Sequence, residues 1–200
     1  MLRQLRQLGI RDARVLDAMA RVPREEFVRE ADRGSAYEDR ALPIDMGQTI
    51  SQPYVVARMT ELLDVDTRDR VLEVGTGSGY QAAVLGELAG EVVTVELHEE
   101  LATAARDRLA RLGYANVRVE QGDASVGFAP GAPYDRIIVT AAAPAIDPAL
   151  LSQLRPDGRI VAPVGPRDLQ ELVVIGADGR QERHGVVGFV PLRGRAGFTS

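Results

Sequence analysis

From residue 70 onward the chain alternates between short apolar runs and longer segments whose apolar residues recur every three or four positions. The runs predict strands at 71–74, 91–97, 117–121, 134–140 and 158–163; the longer segments predict helices at 80–88, 99–112 and 148–154. The 99–112 segment places Leu101, Ala105, Leu109 and Leu112 on one helical face. Ile137-Ile138-Val139 is unbroken, as expected of a strand covered on both sheet faces. Such alternation predicts an α/β fold built on a doubly wound, Rossmann-like parallel sheet. Segments 169–175 and 186–190 flank the turn signal Gly176-Ala177-Asp178-Gly179 and should close the sheet as a strand pair. Ahead of residue 70, 11–29 reads as an amphipathic helix through Val15, Met19 and Val22, broken near Pro23. Residues 34–51 read as irregular. Pro53 then opens a helix with Val56, Met59, Leu62 and Leu63 as its buried stripe. The tail beyond Leu192 is expected to be loose.

Composition narrows the class only a little. Two hundred residues suffice for one sizeable core, and a net charge of −5 gives no general attraction to nucleic acid or anionic membrane. Cysteine is absent, which excludes disulfides and thiolate metal sites. The first twenty residues lack a continuous apolar core, so no signal peptide or membrane anchor is expected and a cytoplasmic location is.

The chemistry concentrates at strand ends. Val71-Leu72-Glu73-Val74 runs into Gly75-Thr76-Gly77-Ser78-Gly79-Tyr80, a strand ending in three alternate glycines ahead of a helix. Glycines there let a ligand approach backbone and permit positive φ. A dinucleotide fingerprint would read G-x-G-x-x-G; here the third glycine comes one residue early and Tyr80 stands in its place. A nucleoside ligand without a diphosphate fits, and S-adenosylmethionine is such a ligand. Glu96 ends the next strand, seventeen residues after Gly79, where an acid can accept from both ribose hydroxyls. Gly122-Asp123 follows the third strand; Asp123 could accept from the adenine amine or merely close an Asx turn. Ser51 in Gln48-Thr49-Ile50-Ser51-Gln52-Pro53 has two readings, an N-cap for the Pro53 helix or a hydroxyl that holds an anion. Spacing does not separate them. His98 and His184 show no metal-ligand spacing and are read as structural.

Taken together, these residues resemble the protein-L-isoaspartate O-methyltransferase family over nearly the whole chain. The segments that carry the resemblance are Gly9-Ile10-Arg11-Asp12, Val22 to Val28, Tyr37-Glu38-Asp39-Arg40, Gln48 to Pro53, Val71 to Tyr80, Pro163-Val164-Gly165 and Phe189-Val190-Pro191-Leu192. The resemblance implies a class I S-adenosylmethionine-dependent enzyme that methylates the α-carboxylate of L-isoaspartyl residues in aged proteins. It further implies a substrate segment at 1–52, a cofactor core at 53–165 and a strand pair with tail at 166–200. Ser51 is carried over as the residue at the substrate carboxylate. Gly75, Thr76, Gly77, Ser78, Gly79, Glu96, Leu97, Gly122, Asp123 and Ala124 take the cofactor roles, and Thr49, Ile50 and Val190 the substrate side. The implied partners are isoaspartyl peptides and proteins; no metal, nucleic acid or membrane is expected, and the oligomeric state is not readable from the sequence, with a monomer favoured. Two positions depart from the family pattern, where Asp45 and Ala124 stand in place of glycines.

Three other readings stay open at this level: an aspartate methyltransferase with one dedicated peptide, a nicotinamide-dependent oxidoreductase, and a non-catalytic binding module. A carboxylate with a pKa near 4 is already ionised at neutral pH, so the missing general base is consistent with carboxyl methylation.

Overall fold

The computed structural model describes residues 1–199. Two N-terminal helices, α1 (Leu2–Gln7) and α2 (Ala13–Arg21), precede a pair of two-residue strands, β1 (Leu42–Pro43) and β2 (Thr49–Ile50). Then come α3 (Pro53–Leu63), β3 (Arg70–Val74), α4 (Tyr80–Gly86), β4 (Glu91–Glu96), α5 (Glu99–Arg111) and β5 (Val117–Gln121). The chain continues through β6 (Tyr134–Val139), α6 (Pro148–Leu151), β7 (Leu154–Val164), β8 (Gln170–Gly176) and β9 (Gln181–Val187). The main sheet runs β5-β4-β3-β6-β7-β8-β9, parallel from β5 to β7 and antiparallel across the last two junctions. Strand order reverses between β3 and β6, and the crevice at such a switch point is where open sheets bind ligands.

Side chains on successive strand positions enter opposite cores. Val71, Val92, Ile138 and Val161 join the core shared with α1 to α5. Leu72, Val93, Ile137 and Ile160 join the other, which is closed by Ala124, Tyr134, Leu150 and Leu192. The sheet is thus covered on both faces. Long helices cover only one; the other lies under α6 and irregular chain, because the β5–β6 connection holds no α-helix. Within α5, Glu99 and Glu100 open the first turn and Arg108 and Arg111 close the last, a charge order that suits the helix dipole.

Four expectations need correction. The 11–29 helix is shorter: the Asp12 carboxylate caps it by accepting from the Arg14 amide at 2.8 Å, and it ends at Arg21. Val22 turns extended ahead of Pro23, and 24–27 forms a separate 3₁₀ turn. The 34–51 stretch is not wholly irregular, since Leu42 pairs with Ile50 and Pro43 with Thr49. The last strand is displaced from 186–190 to Gln181–Val187. Gly179, at φ +77, returns the chain at once, so the polar run Gln181-Glu182-Arg183-His184 forms an exposed edge, which apolar patterning does not reveal.

The fourth correction concerns the tail. Pro191 bridges to Ala142, and beyond it the Arg195 amide donates to Asp123 Oδ2 at 2.9 Å and the Ala196 amide to Ser125 Oγ at 3.0 Å. Gly194 has φ +120, and a Cβ there would lie 2.1 Å from Asp123 Oδ1, so only glycine brings the chain this close. No helix among the described residues is long and apolar enough to cross a membrane.

The two-sided core generates a contrast. Ile138→Ala, at a fully buried position, should destabilise the fold by about 2–5 kcal/mol. Val186→Ala, on the exposed edge, should stay within about 0.5 kcal/mol of wild type. Urea denaturation of both variants measures the difference.

Candidate active site

The three glycines of the 75–79 loop all have positive φ but different neighbours. Gly75, at φ +95, follows β3, and a Cβ on it would lie 2.6 Å from Thr140 Oγ1. That hydroxyl sits 2.9 Å from the carbonyl of Val74 and fixes the strand end. Gly77, at φ +53, donates its amide to Glu96 Oε2 at 2.8 Å. Gly79, at φ +87, begins α4, where a Cβ would press on Leu109 at 3.3 Å and on Ala105. Gly79 therefore serves helix packing, whereas Gly75 and Gly77 face the crevice.

An open cleft of about 940 Å³, mouth included, lies over these strand ends. It is lined by Gly75, Thr76, Gly77, Ser78, Glu96, Leu97 and Ala124 of the expected cofactor set. Thr49, Ile50, Ser51 and Val190 of the expected substrate set line it too. The topology thus brings together, in one cavity, residues from three strand ends, the β2 loop and the chain after β9. Gly79, Gly122 and Asp123 do not line it. Gly122 instead donates its amide to the Glu96 carbonyl at 2.8 Å, which seats the 122–125 turn beside the cleft.

Glu96 is buried, and its second oxygen accepts from the His98 amide at 3.0 Å. Each carboxylate oxygen keeps a further lone pair. Asp123 accepts from the Ser125 amide on Oδ1 and from the Arg195 amide on Oδ2, both at 2.9 Å. Burial pushes its carboxyl up, but the bonds from Ser125 and Arg195 outweigh it and hold the group below the ordinary aspartate range. The Asx-turn reading of Asp123 is thus realised: it closes the turn and anchors the tail. His98, read from the sequence as structural, lines the cleft.

At the other end, the structure separates the two readings of Ser51. Helix α3 has Gln52 at its N-cap position without a side-chain bond, and the carboxylate of Asp39 accepts from the Tyr54 amide at 2.8 Å. Asp39 does the capping. Among the described residues the Ser51 hydroxyl has no hydrogen-bond partner, and Ser51 lines the cleft. Its carbonyl accepts from Arg24 Nη2 at 2.6 Å. Asp45 fits its loop because the left-handed turn falls on Met46 (φ +56) and Gly47 (φ +66), not on residue 45. Ala124, the other departure, is buried in the cleft wall.

Sequence reasoning passed over Glu73. It is fully buried on β3, lines the cleft, and neither carboxylate oxygen has a hydrogen-bond partner. Desolvation pushes its pKa up to about 8, opposed by the Thr94 hydroxyl and helped by the negative charge of Glu96. An acid inside the otherwise apolar run Val71-Leu72-Glu73-Val74 was the signal available. Thr140 was also findable, since it follows the last residue of β6 at the switch point. No group of three or more His, Cys, Asp or Glu able to hold a metal occurs among the described residues.

The likeness to known proteins extends over the same span. The family model described as Protein-L-isoaspartate(D-aspartate) O-methyltransferase (PCMT) matches residues 1–197. A relative from Koribacter versatilis, named protein-L-isoaspartate O-methyltransferase, is 54% identical over 199 residues, covering 98% of this chain and 90% of the relative. One of the same name from Methanopyrus kandleri is 53% identical over 204 residues, with coverages of 98% and 90%. A solved structure named protein-L-isoaspartate O-methyltransferase superposes with a TM-score of 0.88 at 28% identity, over 98% of this chain and 66% of that one. A Plasmodium falciparum structure in complex with S-adenosyl-L-homocysteine shares the fold, with a TM-score of 0.82 at 24% identity and 96% coverage of each chain. With helices, switch point and both ends of the cleft inside the matched span, the chain belongs to the protein-L-isoaspartate(D-aspartate) O-methyltransferase family.

Proposed function

We propose that this protein transfers the methyl group of S-adenosylmethionine to the free α-carboxylate of L-isoaspartyl residues, which opens their repair. The observation that carries this reading is the unpartnered Ser51 hydroxyl in the cleft that also holds the glycine loop and Glu96. Capping α3 and holding an anion are compatible roles for a hydroxyl, but here Asp39 caps the helix and the Ser51 hydroxyl carries no bond to it.

The residues present fit a nucleoside with a cationic group. Gly75 packs against Thr140 too closely for a side chain, and the loop backbone at Gly75 and Gly77 lines the cleft. Glu73 offers two buried carboxyl oxygens without protein partners, and a cation beside them would favour release of the proton that burial makes it keep. Glu96 would hold the ribose through its remaining lone pairs, with Leu97 and Ala124 flanking the base. When bound, S-adenosylmethionine supplies a methyl on a positively charged sulfur, an electrophile for which an ionised carboxylate is a sufficient nucleophile.

The work left to the chain is alignment and exclusion of water. Ser51 donates a hydrogen bond to the substrate carboxylate and removes no proton. Thr49, Ile50 and Val190 form the substrate side of the cleft, in line with a substrate segment at 1–52 facing the strand pair at 166–200. Positioning of this kind is worth roughly 7–11 kcal/mol in well-oriented reactions. The Val190 carbonyl accepts from the Ala142 amide at 2.8 Å, which fixes that wall against the switch point. Isoaspartyl peptides and proteins are the partners in this reading, met in the cytoplasm.

A methyl-transfer assay with matched isoaspartyl and aspartyl peptides tests the proposal. Methylation of the isoaspartyl member alone is expected; equal or no methylation of the pair overturns it. Ser51→Ala should lower kcat/KM about 10- to 100-fold, the worth of a hydrogen bond to a charged group, while the affinity for S-adenosylhomocysteine stays within about threefold by calorimetry. Glu73 generates a pH effect. Between about 4.5 and 8 the folded state keeps a proton that the unfolded chain has lost, so stability contributed by this group is present below that window and declines as pH rises through it. The slope is at most about 1.4 kcal/mol per pH unit. Thermal unfolding of the ligand-free protein from pH 5 to 8.5 should show Glu73→Gln gaining on wild type as pH increases.

A further inference from the structure

Arg24 is wholly buried, yet among the described residues no carboxylate lies within ion-pair distance of it. The neighbouring Asp39 carboxylate is engaged by the Tyr54 amide. The Arg24 guanidinium is held by two carbonyls instead: Nε donates to Ala36 at 2.7 Å and Nη2 to Ser51 at 2.6 Å. Its third nitrogen, Nη1, is buried with no partner. The guanidinium carbon sits 4.6 Å from the ring centre of Tyr80, which in turn meets Phe27 edge-on at 5.5 Å. Tyr80 is the first residue of α4, directly after Gly79, and lines the cleft. One side chain therefore touches the backbone of the substrate loop and the residue that ends the cofactor loop.

A brace needed only for packing does not call for this chemistry. Apolar side chains of similar volume commonly replace buried charges without loss of stability, because they avoid desolvating an ion. Burial pushes the Arg24 pKa down, and the ion stays there without a counter-charge of its own. What the arginine adds over an apolar filler is direction and sign. It pins the Ser51 carbonyl with a short charge-assisted bond, which sets where the hydroxyl of the same residue points. It also keeps a positive charge behind a hydroxyl that faces the cleft.

We propose that Arg24 is a positioning residue for the methyl transfer: its guanidinium fixes Ser51 for the substrate carboxylate and ties that loop to the glycine loop through Tyr80. The inference rests on the function proposed above and extends it to a residue outside the cleft lining. The charge also favours an anionic substrate group over a neutral one at Ser51. Its contribution should therefore be felt in turnover of the isoaspartyl peptide and not in the affinity for the nucleoside product.

The test is a double-mutant cycle between Arg24→Met and Ser51→Ala, with Arg24→Lys as the conservative partner. Steady-state methylation of an isoaspartyl peptide is measured alongside calorimetric binding of S-adenosylhomocysteine. Arg24→Met alone should lower kcat/KM by about 30-fold or more, with product affinity within about threefold of wild type. In the Ser51→Ala background the same change should cost less than about threefold, because the hydroxyl it positions is gone. Arg24→Lys should fall between, since it keeps the charge but not the fork. Wild-type turnover in Arg24→Met, or equal losses in both backgrounds, overturns the proposal. If Arg24→Met does not unfold cooperatively, the cycle is read with Arg24→Lys; failure of both to fold assigns the arginine to stability alone and overturns it as well. A wild-type protein inactive on the isoaspartyl peptide would instead overturn the function itself, so the two failures are distinguishable.

Discussion

The bond from the Gly77 amide to the Glu96 carboxylate is the contact on which the rest of the site depends. It joins the loop after β3 to the end of β4, two strands in parallel register from Arg70 opposite Glu91 to Val74 opposite Val95. The loop amide would otherwise have to find another partner, and Oε2 of the buried acid would otherwise lack a donor. Thr140 does the corresponding work from β6, on the far side of the switch point. The crevice is rigid where its floor meets the sheet because both neighbouring strands hold the loop. An additional Thr76–Thr94 hydroxyl contact of 2.6 Å beneath it reinforces this.

Against that rigid floor, the substrate side is assembled from pieces distant in sequence. β1 and β2 contribute only two residue pairs, and the segment owes its position to Arg24, Asp39 and the core beneath. Two buried ionisable groups without ion pairs flank the cleft, Arg24 on the substrate side and Glu73 in the cofactor strand. In the ligand-free fold Glu73 holds its proton up to about pH 8, and a bound cation beside it would favour its ionised form. Folded proteins rarely bury such groups unpaired, because desolvation disfavours the charged form.

What could be read from the sequence divides along physical lines. The parallel strands β3 to β6 were legible to within a residue or so, since apolar runs between helical segments leave few alternatives. Strand β7 begins four residues earlier than its apolar stretch, in the polar Leu154–Asp157 segment, where backbone pairing with Tyr134 sets the start. Helix α1 was not delimited as an element, because six residues with two apolar and two arginine positions carry little periodic signal. The glycine loop and Glu96 followed from spacing. The distinction between capping and free Ser51 did not, because it turns on Asp39, twelve residues upstream and brought to α3 only by the tertiary fold. The tail escaped for the same reason: glycine and arginine residues after Leu192 resemble an unanchored terminus until Asp123 is seen beside them.

Strand β9 has a consequence for how far the sheet can grow. It is the outermost strand, and Glu182, Arg183 and exposed residues on both its faces leave it little apolar surface. Gly185, at φ +100, interrupts its extended run, and its register with β8 shifts between Glu171 and Val173. An uneven, charged and glycine-broken border is a poor template for another chain's backbone. The hydrogen-bonded ladder therefore stops at this margin, and end-to-end polymerisation through the sheet is discouraged by the same strand that closes the fold.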